Sequence, residues 1–93
     1  MPDEPPTARH VIVHGHVQGV FYRDWTVETA RALGLAGWVR NLPDGTVEAH
    51  LEGEPAALDR MVETMHEGPP RARPTKVETR EAQPANYDSF QRR

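Results

Sequence analysis

The stretch AGWVRNLPDGTVEAHLE, residues 36–52, decides the fold because it holds two strand-like segments joined by a tight turn. The segments 36–41 and 46–52 are short and contain the alternating or β-branched residues typical of strands. Between them, LPDG at 42–45 places proline before Asp-Gly, and a glycine there can adopt a positive φ. The stretch therefore predicts a β-hairpin with directly paired strands.

A strand and then a helix are predicted before this hairpin. Arg9–His14 alternates in the manner of a strand, with Val11 and Val13 on one parity. A helix is predicted over about Arg23–Leu33, where small or apolar residues recur at i, i+4 and i+7. Gly34 follows directly, and glycine is a common helix stop.

A second helix and strand are predicted after the hairpin. The helix begins near Pro55, since proline suits the first helical position, and apolar residues recur at i, i+3, i+4 and i+7 until Gly68. The last long strand is predicted over about Thr75–Ala82, with Val77 and Thr79 facing inward. Phe90 could anchor a short final strand.

The resulting order is β-α-β-β-α-β. This order predicts an α+β, ferredoxin-like split βαβ fold, with an antiparallel sheet and two helices on one face. The chain has 93 residues, which suits one domain, placed here at residues 9–93. Residues 1–8 hold three prolines without periodicity and are predicted to be a flexible lead-in.

Composition narrows the classes of function. The formal net charge is −3, from 11 basic and 14 acidic residues, so a broad basic surface for nucleic acid is not expected. Cysteine is absent, which excludes disulfides, thiolate metal sites and a thiol nucleophile. No apolar run approaches the ~18 residues of a membrane span, and the acidic, proline-rich N-terminus is unlike a signal peptide. A cytoplasmic protein that acts away from membranes is expected.

The segment between the first strand and the first helix has the features of an anion site. Gly15 and Gly19 permit a tight loop whose successive N–H groups can form a nest. The start of the following helix adds unpaired N–H groups and partial positive charge. Arg23 stands at that start, and its planar guanidinium can bind a phosphoryl group through two hydrogen bonds. The residues alone therefore indicate an oxyanion site but not a reaction.

Two long motifs resemble the acylphosphatase family. GHVQGVFYR at 15–23 is similar to its first signature, and GWVRN at 37–41 with Gly45, Thr46, Val47 and Gly53 is similar to its second. The resemblance extends from Arg9 to Phe90. The ending FQRR at 90–93 departs from the apolar and aromatic ending of relatives, which affects the packing of the last strand and not the site.

This resemblance implies hydrolysis of acyl phosphates to a carboxylate and phosphate, without a cofactor or a metal. It implies that Arg23 holds the phosphoryl group and that Asn41 positions the attacking water. It also implies that main-chain amides of one loop bind the phosphate. These belong to His16, Val17, Gln18, Gly19, Val20, Phe21 and Tyr22. A monomer acting on a small-molecule acyl phosphate, with neither nucleic acid nor membrane as partner, is expected.

This reaction requires few catalytic groups, because the leaving carboxylate has a conjugate acid with a pKa of about 4. Such a group leaves with little protonation, and phosphoryl transfer requires chiefly positioning and charge stabilisation. The attacking water can pass its proton to the phosphoryl oxygens of the substrate. The proposal requires the loop before Arg23 and the strand end at Asn41 to lie at the same edge of the sheet.

Other readings of the same residues stay open. A non-catalytic anion-binding module would use the same nest, and an RNA-binding module would share the architecture but would need sheet aromatics and a basic face. His10, His14 and His16 share one strand parity and could bind a metal, but no acidic partner is evident nearby. They are interpreted as an exposed sheet face, and His50 as a solvated position.

Overall fold

Seven elements make up the described part of the chain, residues 6–93 of the computed structural model. In chain order they are β1 (Thr7–His16), α1 (Tyr22–Ala32), β2 (Ala36–Asn41), β3 (Val47–Gly53), α2 (Pro55–Met65), β4 (Arg73–Ala82) and β5 (Phe90–Arg92). The predicted α+β, ferredoxin-like fold is confirmed. The predicted hairpin is β2 and β3, and the segment at Phe90 does form a strand.

The sheet has the strand order β4-β1-β3-β2-β5. The β1–β3, β1–β4 and β2–β3 pairs are antiparallel, whereas β5 pairs with β2 in parallel, with Gly37 opposite Phe90. The sheet is therefore mixed, and the prediction of an antiparallel sheet was wrong for its fifth strand. The reason is topological: β4 ends at the edge of the sheet where β2 begins, and residues 83–89 follow that edge, so β5 starts in the direction of β2.

The core lies between one face of the sheet and the two helices. Valines and leucines of the central strands and the apolar stripe of α2 are fully buried. The buried side chains include Val11, Val13, Val39, Val47, Leu51, Leu58, Met61 and Met65. Each such side chain contributes about 1.5–3 kcal/mol of burial free energy. Tyr22 joins the two helices, since its hydroxyl donates a 2.6 Å hydrogen bond to the main-chain oxygen of Met65.

Several element boundaries differ from the prediction by one or two residues, most clearly those of β1 and β4. β1 begins at Thr7 rather than Arg9, so the last two residues assigned to the lead-in belong to the sheet, whereas residues 1–5 lie outside the described residues. β1 and β4 extend further towards the loop, because their pairing resumes beyond a bulge at His14 and Gly15. Thr79, predicted to face inward, lies opposite the buried Val11 but is exposed, since β4 is an edge strand.

The bulge brings two main chains into contact just before the loop of interest. Gly15 has φ 112°, and a Cβ there would collide with the main-chain oxygen of Arg73. Glycine is thus required both for the conformation and for the close approach. This contact fixes the point at which the chain leaves the sheet.

Candidate active site

The loop of residues 17–21 connects β1 to α1 and is held by buried side chains. Val17 and Val20 are buried in the core, whereas Phe21 is 69% exposed. Gly19 and Phe21 have positive φ values of 75° and 64°, and Phe21 is the residue from which α1 begins. No side chain of the described residues caps α1, so its first N–H groups stay available, and the helix dipole favours an anion there.

Gln18 fastens this loop to the β2–β3 turn. Its side-chain Nε2 donates hydrogen bonds of 2.8 Å to the main-chain oxygens of Leu42 and Thr46. Asn41 directly precedes that turn, so Gln18 couples the position of the loop to that of Asn41. Sequence reasoning considered only the main-chain amide of Gln18, because nothing in the sequence identifies carbonyl acceptors more than twenty residues away.

The β2–β3 turn is itself well ordered by Asp44. Its carboxylate accepts hydrogen bonds from the main-chain N–H and the hydroxyl of Thr46, at 3.0 and 2.6 Å. These hydrogen bonds, the hydroxyl first, hold the pKa of Asp44 below its usual range. A hydrogen bond of 2.9 Å from the Leu42 N–H to the Thr46 oxygen closes the turn. Asn41 therefore stands at the end of a strand with a fixed exit.

Arg23 and Asn41 converge on one pocket of about 230 Å³. The geometric requirement is met because β1 and β2 both flank β3 and run in the same direction; Val13 and Asn41 both lie opposite Val47. Four of the predicted loop residues line this pocket, whereas the side chains of His16, Gln18 and Val20 do not. The pocket is lined by Val17, Gly19, Phe21, Tyr22, Arg23, Asp24, Asn41 and Arg92.

The side-chain oxygen of Asn41 has no hydrogen-bond partner among residues 6–93. This atom, Oδ1, is buried and is the one such side-chain atom, within the part of the chain described, that lacks a hydrogen-bond partner. A buried polar atom without a partner is rare and requires an explanation. A carboxamide oxygen is an acceptor, so it can take a hydrogen bond from a water molecule or a ligand.

The Arg23 guanidinium is already held on one side. Its Nη1 donates a 3.0 Å hydrogen bond to the main-chain oxygen of Arg93, the residue that follows β5. A guanidinium has five N–H donors in a fixed plane, so the remaining donors are free to bind an oxyanion. The site is therefore assembled from the β1–α1 loop, the end of β2 and the end of β5.

A second cation at the pocket was missed by sequence reasoning. Arg92 lines the pocket and forms an ion pair of 3.0 Å with Asp24 in the first turn of α1. The unusual Arg-Arg ending was noted in the sequence only as a departure from relatives. Its position depends on the parallel pairing of β5 with β2, for which the sequence contained no register signal.

The side chains of His10, His14 and His16 do not line the pocket, and two of them have acidic partners. His10 is 2.7 Å from Glu48 and His14 is 2.5 Å from Glu78, so the expectation that no acidic partner was near them was wrong. His50 is half-buried and contacts Glu52, not solvated as predicted. The contacts of His10 and His14 join residues of neighbouring strands. They depend on how the strands pair, which the sequence of a single strand does not show. Over residues 6–93, no group of three or more His, Asp or Glu residues could hold a metal ion.

None of the helices between residues 6 and 93 is both long and apolar enough to cross a membrane.

Comparisons with known proteins find one family. A family model described as Acylphosphatase matches residues 9–92. The chain is 61% identical over 71 residues to an acylphosphatase from Rubrobacter xylanophilus, a match that covers 76% of this chain and 64% of that protein. It is 48% identical over 85 residues to an acylphosphatase from an Acidovorax species, covering 91% of this chain and 88% of that one. The solved structure of an acylphosphatase from Coxiella burnetii superposes with a TM-score of 0.92 at 40% identity, covering 95% and 93% of the two chains.

Proposed function

Because the chain belongs to the acylphosphatase family and hydrolyses acyl phosphates, we propose that the reaction takes place in the pocket shared by Arg23 and Asn41. Arg23 and the main-chain N–H groups from His16 to Tyr22 hold the phosphoryl group. Asn41 positions the water that attacks it. The observation that carries this assignment is that Asn41, whose buried Oδ1 has no hydrogen-bond partner among the described residues, lines the same pocket as Arg23.

The reaction requires only the substrate, one water molecule and the groups that line this pocket. Water attacks phosphorus while the bond from phosphorus to the acyl oxygen breaks, and the carboxylate leaves with that electron pair. The Asn41 oxygen accepts a hydrogen bond from the water and so orients its lone pair towards phosphorus. The proton released by the water passes to a phosphoryl oxygen, so no side chain has to take it up. Proximity and orientation of this kind can supply about 7–11 kcal/mol of the barrier.

The charge that develops on the phosphoryl oxygens is stabilised by donors fixed before the substrate arrives. Arg23 is anchored to Arg93, and the loop is anchored by Val17, Val20 and the Gln18 side chain. Preorganised donors are effective because they do not have to reorient during the reaction. A loose transition state for phosphoryl transfer requires little else from the protein.

Tyr22 lines the pocket but has a structural role. Burial raises the pKa of its hydroxyl far above the ordinary value, and that hydroxyl donates to the Met65 carbonyl. Tyr22 therefore stays protonated and directed into the core. It contributes its main-chain N–H to the site and not a proton.

The test compares variants on one acyl phosphate, benzoyl phosphate, with a chelator present. Arg23→Ala and Asn41→Ala are each expected to lower kcat by about 10²–10³-fold, the loss typical of one preorganised donor. Circular dichroism should show that both variants keep the fold. The matched control is Arg40→Ala, since Arg40 precedes Asn41 but pairs with Glu48 at 2.5 Å on the open face of the sheet.

Three outcomes would contradict this proposal. Wild-type activity in Arg23→Ala would remove this residue from the reaction. Protection of the fold by phosphate, with benzoyl phosphate left intact, would favour the non-catalytic anion-binding module. Loss of activity on adding the chelator would contradict the metal-independent mechanism.

The proposal also covers the location, the oligomeric state and the partners of the enzyme. We propose a cytoplasmic monomer that acts on small-molecule acyl phosphates and does not bind nucleic acid. The net charge of −3 supports the last point, because nucleic-acid binding generally requires a basic face. Light scattering coupled to size exclusion, and a titration with RNA at low salt, would test the oligomeric state and the absence of nucleic-acid binding.

A further inference from the structure

Arg92 places a second guanidinium at the pocket, beyond the phosphate-binding groups. It lies in β5, two residues after the fully buried Phe90, and therefore on the same face of the sheet as the helices. There its Nη1 is 3.0 Å from the Oδ1 of Asp24. Its position at the pocket follows from its place opposite Val39 in the parallel β2–β5 pair, two residues before Asn41.

The ion pair that Arg92 makes is open to exchange. The side chains of Arg92 and Asp24 are 51% and 52% exposed, and one contact joins them. An ion pair exposed to this degree contributes little to stability, because water solvates both charges well when they separate. The guanidinium also keeps donors that Asp24 does not use. A second carboxylate could therefore bind Arg92 without removing an important structural contact.

The phosphoryl group does not need Arg92. Arg23, the loop N–H groups and the start of α1 are assigned to the phosphoryl group, and Asn41, which lines the same pocket, is assigned to the water. The pocket, at about 230 Å³, is smaller than the ~300–1,000 Å³ typical of sites for drug-sized ligands. A phosphoryl group and a short or flat acyl group fill such a volume, and because Arg92 and Asp24 line the same pocket, such an acyl group comes close to this pair.

We propose that Arg92 is a specificity-determining residue that selects acyl phosphates whose acyl group carries a second anionic group. This inference rests on the proposed function, since it assigns the acyl side of the same site. The second anion, a carboxylate or a further phosphate, forms hydrogen bonds with the free donors of Arg92 while the phosphoryl group lies at Arg23. Asp24 then keeps the guanidinium oriented from its other side.

The neighbouring arginine provides a matched control. The guanidinium of Arg93 lies over the Trp38 ring, 4.8 Å from its centroid, on the opposite face of the sheet. Arg93→Gln removes the same charge from the residue directly after β5, but from a side chain that does not line the pocket. If the preference for a second anion came from the overall charge of the protein, both variants would weaken it. If it comes from direct contact with Arg92, only Arg92→Gln would weaken it.

The experiment measures kcat/KM for benzoyl phosphate and for its 3- and 4-carboxy derivatives. The readout is the ratio of carboxylated to plain substrate in each variant, which cancels the intrinsic reactivity of the substrates. Arg92→Gln is expected to lower this ratio about 5-fold for at least one derivative, the size of one exposed ion pair, mainly through KM. Arg92→Lys should retain part of the ratio, and Arg93→Gln should keep all of it. High salt should reduce the wild-type ratio towards that of Arg92→Gln.

The outcomes separate this inference from the proposed function. Equal loss on plain and carboxylated substrates in Arg92→Gln, an unchanged ratio, or the same fall in Arg93→Gln would each overturn the inference while hydrolysis of benzoyl phosphate stands. Absence of hydrolysis of every substrate by the wild-type chain would overturn the proposed function and the inference with it.

Discussion

At the scale of the residue, Gln18 shows how a side chain outside the pocket can control the chemistry within it. Its carboxamide nitrogen bridges two carbonyl oxygens, those of Leu42 and Thr46, and so ties the phosphate-binding loop to the turn after Asn41. The two halves of the reaction, the phosphoryl group and the water, depend on these two segments. The distance between them is therefore set in part by Gln18.

The first prediction at this scale concerns Gln18→Met, which keeps the length of the side chain but removes both donors. The two carbonyls lose partners, so the free energy of unfolding should fall by about 1–3 kcal/mol. We also expect kcat to fall by about 10-fold, because a misplacement of about 1 Å in a reacting group can lower rates substantially. Denaturant unfolding and turnover of benzoyl phosphate measure the two effects.

Gln91→Met is the control, since Gln91 is exposed and its Nε2 donates only to the Ser89 hydroxyl, at 3.1 Å. It should change neither quantity noticeably. A Gln18→Met variant with wild-type kcat and reduced stability would show that the bridge supports the fold without positioning the site.

At the scale of the element, β5 depends on the connection that leads to it, and Glu52 holds that connection. The Glu52 carboxylate, at the end of β3, accepts hydrogen bonds from the main-chain N–H groups of Ala85, Asn86 and Tyr87 at 2.5, 3.0 and 3.3 Å. Burial raises the pKa of this carboxyl, but the hydrogen bonds from main-chain N–H groups and from His50 outweigh burial and hold it below its usual range. One carboxylate thus directs the chain towards the strand that bears Arg92.

The prediction at this scale is a specific loss of stability in acid. Because the pKa of Glu52 is lower in the folded than in the unfolded chain, its stabilisation is present above the ordinary value of about 4.3 and is lost as pH falls through the folded-state pKa. Glu52→Gln should lower the free energy of unfolding by about 2 kcal/mol at neutral pH, since the variant loses hydrogen bonds to a charged group. The wild-type and variant stabilities should converge in acid, where Glu52 is protonated and resembles a carboxamide.

The control is Glu63→Gln on the exposed face of α2, whose free energy of unfolding should differ from that of the wild type by a constant amount across the pH series. Urea denaturation at a series of pH values measures all three chains. A constant gap between wild type and Glu52→Gln down to pH about 2 would show that the loss comes from packing and not from the charge.

The same elements show what the sequence can and cannot predict. The hairpin was predicted nearly to the residue, because Pro43, Asp44 and Gly45 leave the chain few alternatives. The phosphate-binding loop was predicted because its glycines and Arg23 are close in sequence. β5, Arg92 and the Gln18 bridge depend on contacts between residues far apart in the chain, and such contacts have no local pattern. Asn41 was identified through the family resemblance, since a lone asparagine at a strand end signals nothing by itself.

At the scale of the whole molecule, the site exists only when the fold is complete. Its pocket combines the β1–α1 loop, the end of β2 and the end of β5, so it is assembled from both ends of the described chain. The unfolded chain therefore has no comparable site for phosphate. Binding of phosphate, the product, must then stabilise the whole molecule by mass action.

The last prediction follows from this linkage. At a phosphate concentration about 100-fold above the dissociation constant, the fold should gain about 2.7 kcal/mol, which raises the Tm of a domain of this size by about 10–20 °C. Arg23→Ala should lose most of this shift because it removes the principal cation from the phosphate site. Arg40→Ala should keep the shift even if its own Tm is lower, since its side chain lies on the other face of the sheet. Calorimetry in phosphate and in chloride at equal ionic strength separates binding from general salt effects; an equal shift in both salts, or a full shift in Arg23→Ala, would mean that phosphate binds elsewhere.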